Sequence, residues 1–223
     1  MMKDLFSIGT TTLIAWAAVR TVSAAVAPES AANRYMHQSD FDKLAARFED
    51  PARAEWQKPE KVIASLGPLK GKTVADIGAG TGYFSFPIAK QAAKVIAIDI
   101  DQRFLDYIAQ RKQTQNTGRN IETRLTKPDS PGLKPGEADL VLIVDTYHHI
   151  EDRITYLKKL KTCLPQDGLL VIIDFKKLKT PPGPPLELRV AEEQAESELK
   201  SAGFTILSAD KEMLPYQYII RAR

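Results

Sequence analysis

The stretch Val74-Ala-Asp-Ile-Gly-Ala-Gly-Thr-Gly-Tyr83 joins an apolar run to three glycines at alternate positions, with Asp76 near the junction. Such an apolar run predicts a buried strand. Glycines permit a sharp turn and a close approach of ligand to backbone, because they adopt left-handed conformations and carry no Cβ atom. A helix is predicted directly after the loop. The stretch therefore indicates a ligand site at the end of a strand in an open α/β sheet.

Strands and helices alternate on both sides of this stretch. Apolar runs predict strands at residues 72–77, 94–98, 121–125, 139–144 and 168–174. Apolar residues at helical spacing predict helices at residues 40–49, 84–93, 154–163 and 187–201. Strands that are apolar throughout form parallel sheets with helices on both faces. The last two strands, at residues 205–209 and 216–220, are joined by a link too short for a crossover, so they must pair antiparallel.

The glycine spacing is Gly78-x-Gly80-x-Gly82, not the Gly-x-Gly-x-x-Gly of dinucleotide-binding enzymes. It resembles motif I of the class I S-adenosylmethionine-dependent methyltransferases, and the reversed last strand is similar to theirs. The resemblance implies an α/β fold with a Rossmann-like, doubly wound seven-stranded sheet, mostly parallel with an antiparallel last strand. It also implies S-adenosyl-L-methionine as the cofactor and methyl transfer as the activity.

The resemblance carries cofactor roles onto individual residues. In the family, the residue that matches Asp76 helps to hold the ammonium group of the cofactor. The acidic residue that matches Asp99, after the second strand, accepts hydrogen bonds from the ribose hydroxyls, for which a carboxylate is suited. The candidate cofactor-binding residues lie in the glycine loop and after the strands: Asp76, Gly78, Ala79, Gly80, Gly82, Asp99, Ile100, Asp129 and Asp145. For Asp129, the resemblance implies an adenine contact, while its turn sequence equally fits a solvated aspartate.

The fourth strand leads into Asp145-Thr-Tyr-His-His-Ile150. This segment resembles the His-His-hydrophobic motif of many small-molecule methyltransferases, including quinone C-methyltransferases. The candidate catalytic residues are therefore His148, Asp145 and Tyr147. His148 has the pKa of a general base and Asp145 could orient it, although His148 could instead pack on the cofactor. His149 fits a helix cap or a packing role better than a catalytic one.

Other segments are predicted to close the acceptor pocket. Residues 53–57 precede the first strand, where this fold often places a substrate lid, so Trp56 and Gln57 are substrate-side candidates; Trp56 fits the core as well. Pro184, Pro185 and Arg189 follow the fifth strand. From residue 36 to residue 220 the chain resembles a group of bacterial class I methyltransferases with Trp-Gln-Lys-Pro, Tyr-His-His, Gly-Pro-Pro and Leu-Pro-Tyr-Gln-Tyr segments.

Composition limits the remaining classes. The 223 residues are 43% hydrophobic and 26% charged with a net charge of +3, which is ordinary for a soluble domain. The basic residues form no stripe, so no nucleic-acid partner is predicted. The Asn/Asp-Pro-Pro-Tyr/Phe signature of amino-methylating nucleic-acid enzymes is absent at Asp145. One cysteine and three histidines without ligand spacing predict no metal site.

The first 27 residues read as a signal peptide or an N-terminal anchor. Lys3 precedes an apolar run, Arg20 ends it, and small residues at Ala25 and Ala27 offer a cleavage site. Export, periplasmic location or membrane association through this segment is predicted, with a cytoplasmic enzyme behind a mis-chosen start as the alternative. Residues 28–60 are predicted to be a linker and helical lid, and residues 61–223 the methyltransferase domain. The sequence predicts no oligomeric state.

The function favoured by these features is methyl transfer to a small-molecule acceptor. A protein methyltransferase and a non-catalytic S-adenosylmethionine-binding protein are the alternatives, and no residue decides between the acceptors. A nicotinamide-dependent oxidoreductase is disfavoured by the glycine spacing and by the reversed last strand.

Overall fold

A computed structural model describes residues 30–223, apart from the side chains of Ala31 and Tyr35. The predicted signal peptide or anchor lies outside the described residues. Seven strands form one sheet: β1 Thr73–Ile77, β2 Lys94–Asp99, β3 Ile121–Leu125, β4 Leu140–Val144, β5 Leu169–Phe175, β6 Ile206–Asp210 and β7 Gln217–Ala222.

The strand order is β3-β2-β1-β4-β5-β7-β6. Neighbouring strands from β3 to β5 pair in parallel, and β7 is antiparallel to both β5 and β6. The predicted doubly wound sheet with one reversed last strand is confirmed. Because the order reverses between β1 and β4, a crevice forms at the carboxyl ends of these two strands, where open α/β sheets bind ligands.

Eight α-helices are described: α1 Ala31–Gln38, α2 Phe41–Phe48, α3 Arg53–Gln57, α4 Pro59–Ser65, α5 Ser85–Ala89, α6 Gln102–Thr114, α7 Arg153–Thr162 and α8 Glu192–Ser201. Helices α4, α5 and α6 cover one face of the sheet and α7 and α8 the other, each burying aliphatic and aromatic side chains. All five residues of β4 are buried, which explains its unbroken apolar sequence.

Helix bounds differ from the prediction by more than one residue at three places. The linker predicted at the start of residues 28–60 gives way to helix α1 at Ala31, because the Ser30 hydroxyl caps this helix by accepting a hydrogen bond from the Asn33 backbone N–H at 3.0 Å. The helix predicted to start at residue 187 begins at Glu192, because Arg189 is extended after the proline-rich loop. Helix α5 ends at Ala89, four residues early, and Pro87 lies in its first turn, where a missing N–H costs little.

Candidate active site

A cavity of about 670 Å³ opens at the carboxyl ends of β1, β2 and β4. Its wall has two parts. One part comprises the strand ends and the glycine loop, including Asp76, residues 77–81 and Asp99. The other comprises His148, His149, side chains of α1 to α3, and residues 181–185 of the loop after β5. Candidate cofactor and acceptor groups therefore share one continuous cavity.

The glycine loop has the backbone conformation that its sequence predicts. Gly78 has φ of +73°, and a Cβ atom there would overlap the Thr146 side chain, so only glycine fits. Gly80 has φ of +54°, and a Cβ atom would lie 3.3 Å from the Phe48 ring. The Gly80 backbone N–H donates to Asp99 Oδ2 at 2.9 Å. The loop thus brings a side-chain-free stretch of backbone against the Asp99 carboxylate.

Asp76 and Asp99 are buried carboxylates in the cavity wall. Burial raises the pKa of each to about 6, against the opposing effect of hydrogen bonds. Asp76 accepts a hydrogen bond from Ser85 Oγ at 2.6 Å, and Asp99 accepts from the backbone of Gly80 and Asp101. Each oxygen of Asp99 keeps a further lone pair for a ligand hydroxyl.

These residues fit the cofactor that the sequence resemblance implies. Thr81 Oγ1 is buried in the glycine loop without a hydrogen-bond partner among the described residues, so a polar ligand group beside it would complete its bonding. Asp99 offers acceptors for a ribose diol, and Asp76 offers negative charge for an ammonium group. Ala79, Gly80 and Ile100 also line the cavity, whereas Gly82 does not. Gly82 instead supports the loop, since a Cβ atom there would lie 3.0 Å from the Phe86 ring.

Asp129 is not in the cavity wall. Its side chain is 62% exposed and lies 3.8 Å from Lys159 Nζ, although Thr126, Lys127, Pro128 and Ser130 around it do line the cavity. Its placement is that of a solvated turn aspartate, the alternative that the sequence left open, and the adenine contact stays a prediction. Lys159 attracts the carboxylate outward, and its Nζ also donates to the Asp129 carbonyl oxygen at 2.8 Å.

Tyr147 does not lie where the predicted catalytic role would require it. Its ring is fully buried in the core between the sheet and α8, and its hydroxyl donates to Glu198 Oε2 at 2.6 Å. Tyr147 does not line the cavity. In the 3₁₀ turn Tyr147–His149, its side chain points to the core while the two histidines line the cavity. Tyr147 anchors this turn and has no access to a substrate.

Asp145 lines the cavity, but its partners are not the predicted ones. Its carboxylate accepts hydrogen bonds from Gln57 Nε2 at 2.9 Å, from Arg53 Nη2 at 3.3 Å and from Gln217 Nε2. The residue has φ of +53°, a conformation that aspartate tolerates better than most residues. Burial raises its pKa, against the Arg53 charge. The prediction that Asp145 orients His148 is wrong, because this carboxylate is instead tied to α3 and β7.

The partner of His148 is Asp174, a buried residue near the end of β5. Nδ1 of His148 lies 2.9 Å and 3.0 Å from the two carboxylate oxygens, and the His148 backbone N–H donates to Oδ2 at 2.9 Å. Burial lowers the pKa of His148, but the Asp174 carboxylate more than offsets this, so the pKa lies above the ordinary imidazole value. The only signal for Asp174 in the sequence is its position as a lone acid after the apolar run of β5, and this signal does not indicate His148 as its partner.

His149 is held differently from its neighbour. Its Nδ1 lies 2.9 Å from Asn33 Oδ1 on α1, and burial lowers its pKa to about 3. The two imidazole rings are adjacent, with centroids 4.3 Å apart. Like His148, His149 lines the cavity. The site thus holds one histidine with a raised pKa beside one that stays neutral.

Helices α1 to α3 and the loop after β5 cover the acceptor side. Trp56 lines the cavity and packs against Phe175 with ring centroids 5.6 Å apart, whereas Gln57 is fully buried and acts through Asp145. The Arg189 guanidinium donates to the carbonyls of Leu178, Pro182 and Pro184, among others, and so fixes the proline-rich loop. Among the residues that the structure describes, no cluster of three or more His, Cys, Asp or Glu side chains could hold a metal ion.

Comparison with known proteins agrees with this architecture. Residues 75–170 match a family model described as a methyltransferase domain. An S-adenosylmethionine-dependent methyltransferase of Aquifex aeolicus is 27% identical, with a TM-score of 0.76 over 83% of this chain and 98% of its own.

Curated relatives match over shorter stretches. A ubiquinone biosynthesis O-methyltransferase of Roseobacter denitrificans is 29% identical over 50% of this chain and 44% of its own length. A tRNA U34 carboxymethyltransferase of Ruthia magnifica is 31% identical over 56% and 42%. The chain thus spans less than half the length of these two relatives. The sheet, the glycine loop and these matches together support a class I S-adenosylmethionine-dependent methyltransferase.

Proposed function

We propose that the protein transfers the methyl group of S-adenosylmethionine to a small-molecule acceptor held against His148. The observation that carries the proposal is one cavity whose wall includes both the Gly80–Asp99 contact and His148, which is paired with the fully buried Asp174 behind that wall. Non-catalytic cofactor binding alone would not require a buried imidazole–carboxylate pair beside the cofactor residues.

The reaction is an in-line displacement at the sulfonium carbon, for which the bound cofactor supplies the methyl group. The acceptor atom forms the new bond to carbon while the carbon–sulfur electron pair goes to sulfur. His148 receives the acceptor proton at Nε2, since Asp174 occupies Nδ1. Because the Asp174 carboxylate stabilises the imidazolium that forms, His148 can act as base without reorientation.

The enclosure of the site supports a small acceptor. Helices α1 to α3 lie over one side, where Phe48 stacks on Phe104 with ring centroids 5.5 Å apart, and the proline-rich loop lies over another. A covered cavity of this kind suits a small organic molecule better than a folded protein or RNA. The relative named as a ubiquinone biosynthesis O-methyltransferase supports the same class of acceptor.

The cofactor part of the proposal is tested by calorimetry. We expect S-adenosylhomocysteine to bind and NAD not to bind, and Asp99→Ala to reduce the affinity for S-adenosylhomocysteine at least roughly tenfold, because ribose hydrogen bonds to a charged group are lost. Wild-type affinity in Asp99→Ala would contradict the ribose assignment.

The catalytic part is tested by a radiolabelled methyl-transfer screen over small-molecule extracts. We expect label in a low-mass product, and its loss in His148→Ala with cofactor affinity intact, by a factor of about 10²–10⁴. Label that enters only protein or RNA would point to the macromolecular alternatives.

We also infer that residues 1–27 export the protein or attach it to a membrane. Their three-part pattern of a basic start, an apolar run and small residues at a cleavage site supports this. Within residues 30–223, no helix combines the length and apolar character needed to cross a membrane. Fractionation of cells with N-terminal sequencing of the native protein tests the inference; an intact N-terminus in the soluble cytoplasmic fraction would contradict it.

A further inference from the structure

We propose that His149 is a second acceptor-recognition residue, and that the acceptor class carries two neighbouring hydrogen-bond donors, such as the vicinal hydroxyls of a catechol. One donor faces His148, where it loses its proton, and the other donates to His149. This inference rests on the proposed function, because it names the acceptor class for the same site.

The first support is the position of the two rings. His148 and His149 are consecutive residues of the 3₁₀ turn Tyr147–His149, and both line the cavity. Their centroids are 4.3 Å apart with an interplanar angle of 40°. Two imidazoles so close together can meet donors on adjacent atoms of one molecule. Donors at opposite ends of a ring would not reach both.

The second support is the tautomer that each ring must adopt. The Nδ1 atom of His148 faces the Asp174 carboxylate, which only accepts, so Nδ1 carries the proton. The Nδ1 atom of His149 faces Asn33 Oδ1, and Asn33 Nδ2 is directed to the His149 carbonyl oxygen at 3.5 Å. His149 therefore donates from Nδ1 as well. Both neutral rings keep Nε2 as an acceptor, and neither Nε2 contacts a donor among residues 30–223.

The third support is the difference in charge between the rings. Burial and the neighbouring imidazole lower the pKa of His149 to about 3, so it remains a neutral acceptor at every working pH. For His148, burial and the Arg189 charge lower the pKa, while the carboxylates of Asp174 and Asp145 raise it. The two groups thus differ in role: His148 can take a proton, and His149 can only accept a hydrogen bond.

The preference for two neighbouring hydroxyls follows from the free-energy cost of leaving a buried hydrogen-bond acceptor without a donor. A methyl-acceptor molecule with a single hydroxyl would displace water from His149 Nε2 without providing a hydrogen-bond donor to replace it. Sites built to hydrogen-bond a hydroxyl discriminate strongly against analogues that lack it, because the buried partner is left unpaired. Since Asn33 belongs to α1, this recognition also depends on the helix that covers the cavity.

Equilibrium binding of two matched chromophores tests the proposal. 4-Nitrocatechol and 4-nitrophenol are titrated into the full chain saturated with S-adenosylhomocysteine, and binding is followed by absorbance and calorimetry. We expect 4-nitrocatechol to bind roughly tenfold tighter or more. In His149→Phe and in Asn33→Leu, this preference should fall to about twofold or less through weaker catechol binding alone. Unchanged affinity for S-adenosylhomocysteine shows that each variant is folded.

Equal wild-type affinities, no saturable binding of 4-nitrocatechol, or a preference that persists in His149→Phe would each overturn the inference. Methyl transfer from S-adenosylmethionine to 4-nitrocatechol is measured separately. Tight, His149-dependent binding without any methylation would sustain the recognition role and count against the proposed function. Methylation of both phenols with equal affinity would sustain the proposed function and overturn the recognition role of His149.

Discussion

At the scale of single residues, the chemistry of the site depends on which carboxylate contacts which imidazole. Asp145 and Asp174 both lie near His148, yet only Asp174 is within hydrogen-bond distance of its ring. Asp145 is occupied by amide and guanidinium donors from α3 and β7. The two acids therefore have separate tasks: Asp174 sets the tautomer and pKa of His148, and Asp145 joins the covering helices to the sheet.

Asp174→Asn should shift the pH dependence of methyl transfer. His148 must be neutral to act as base, so kcat/KM rises with pH and levels off above the His148 pKa, which lies above the ordinary value. Without the carboxylate, burial is left to lower that pKa, so the inflection should move to lower pH by about one unit or more. The plateau should fall by about 10²-fold, because the imidazolium loses its counter-charge.

The measurement is a kcat/KM profile from about pH 5.5 to about pH 9. Asp129→Asn, on the exposed turn, is the matched control and should leave the profile unchanged. An inflection that stays in place in Asp174→Asn would show that a group other than His148 is being titrated.

Asp76→Asn should stabilise the protein at alkaline pH while weakening cofactor binding. The pKa of Asp76 is raised from 3.8 to about 6, so the folded state binds more protons than the unfolded state between these values. Stability contributed by this group is therefore lost as pH rises through that window. Asparagine removes the buried charge, and its amide can still pair with the Ser85 hydroxyl.

We expect the free energy of unfolding of apo Asp76→Asn to exceed that of the wild type by about 1–3 kcal/mol at pH 8, and by less at pH 5. Urea denaturation at the two pH values measures this difference. A gain that is equal at both pH values would mean that the buried charge is not its cause.

At the scale of elements, the loop after β5 is held by one side chain. Arg189 is 5% exposed, and its guanidinium donates to backbone carbonyls and to Thr180 Oγ1 along residues 176–184. Its charge also lies over the Phe175 ring at 5.1 Å. This irregular loop is consequently a fixed wall of the acceptor site, although it contains no regular strand or α-helix.

Arg189→Met should loosen that wall without affecting the cofactor. Loss of the hydrogen bonds should lower the free energy of unfolding by about 1–3 kcal/mol and raise KM for the acceptor, with S-adenosylhomocysteine affinity unchanged. Hydrogen exchange of residues 176–188 and urea denaturation are the measurements. Arg119→Met, which removes an exposed Arg119–Asn116 contact, is the control and should change neither. Unaltered loop exchange in Arg189→Met would contradict the assignment.

At the scale of the whole molecule, α1 to α3 are joined to the domain by contacts around the cavity. Arg103 of α6 donates to the carbonyls of Met36 and Ser39, and Arg111 pairs with Glu49 at 3.1 Å. Gln57 reaches Gln217 on β7 at 3.1 Å. The covering helices are thus joined to β7 and to α6, the helix that directly follows Asp99 and Ile100.

Cofactor binding should therefore stabilise the covering helices α1 to α3 together with the sheet. At a ligand concentration of 100 Kd, S-adenosylhomocysteine should add about 2.7 kcal/mol to the free energy of unfolding. Hydrogen exchange should slow in α2 and α3 as well as in the glycine loop, because Phe48 lies over Gly80 and Arg53 over Tyr83. Protection confined to the sheet and glycine loop would show that the cover is independent of the cofactor site.

The sequence by itself determined the sheet, the reversed last strand and the cofactor side of the cavity. Apolar runs, glycine positions and an acid at a strand end are local features, and each depends on residues within a few positions along the chain. Gly78, Gly80 and Asp99 could be placed at the strand ends for this reason, and all three line the cavity. Helix starts were less well determined where a capping side chain or a proline-rich loop sets them, as at Ser30 and after Arg189.

Only the tertiary structure decided the acceptor side. Asp174 lies 26 residues from His148 in the chain, Gln57 lies 88 from Asp145, and Asn33 lies 116 from His149. Partners at such separations are brought together by strand order and helix packing. The spacing of apolar residues along the sequence does not indicate which of two nearby acids contacts a given imidazole ring. The same reason explains why Tyr147 was misassigned: the direction of a side chain in a short turn is set by the core that it packs against.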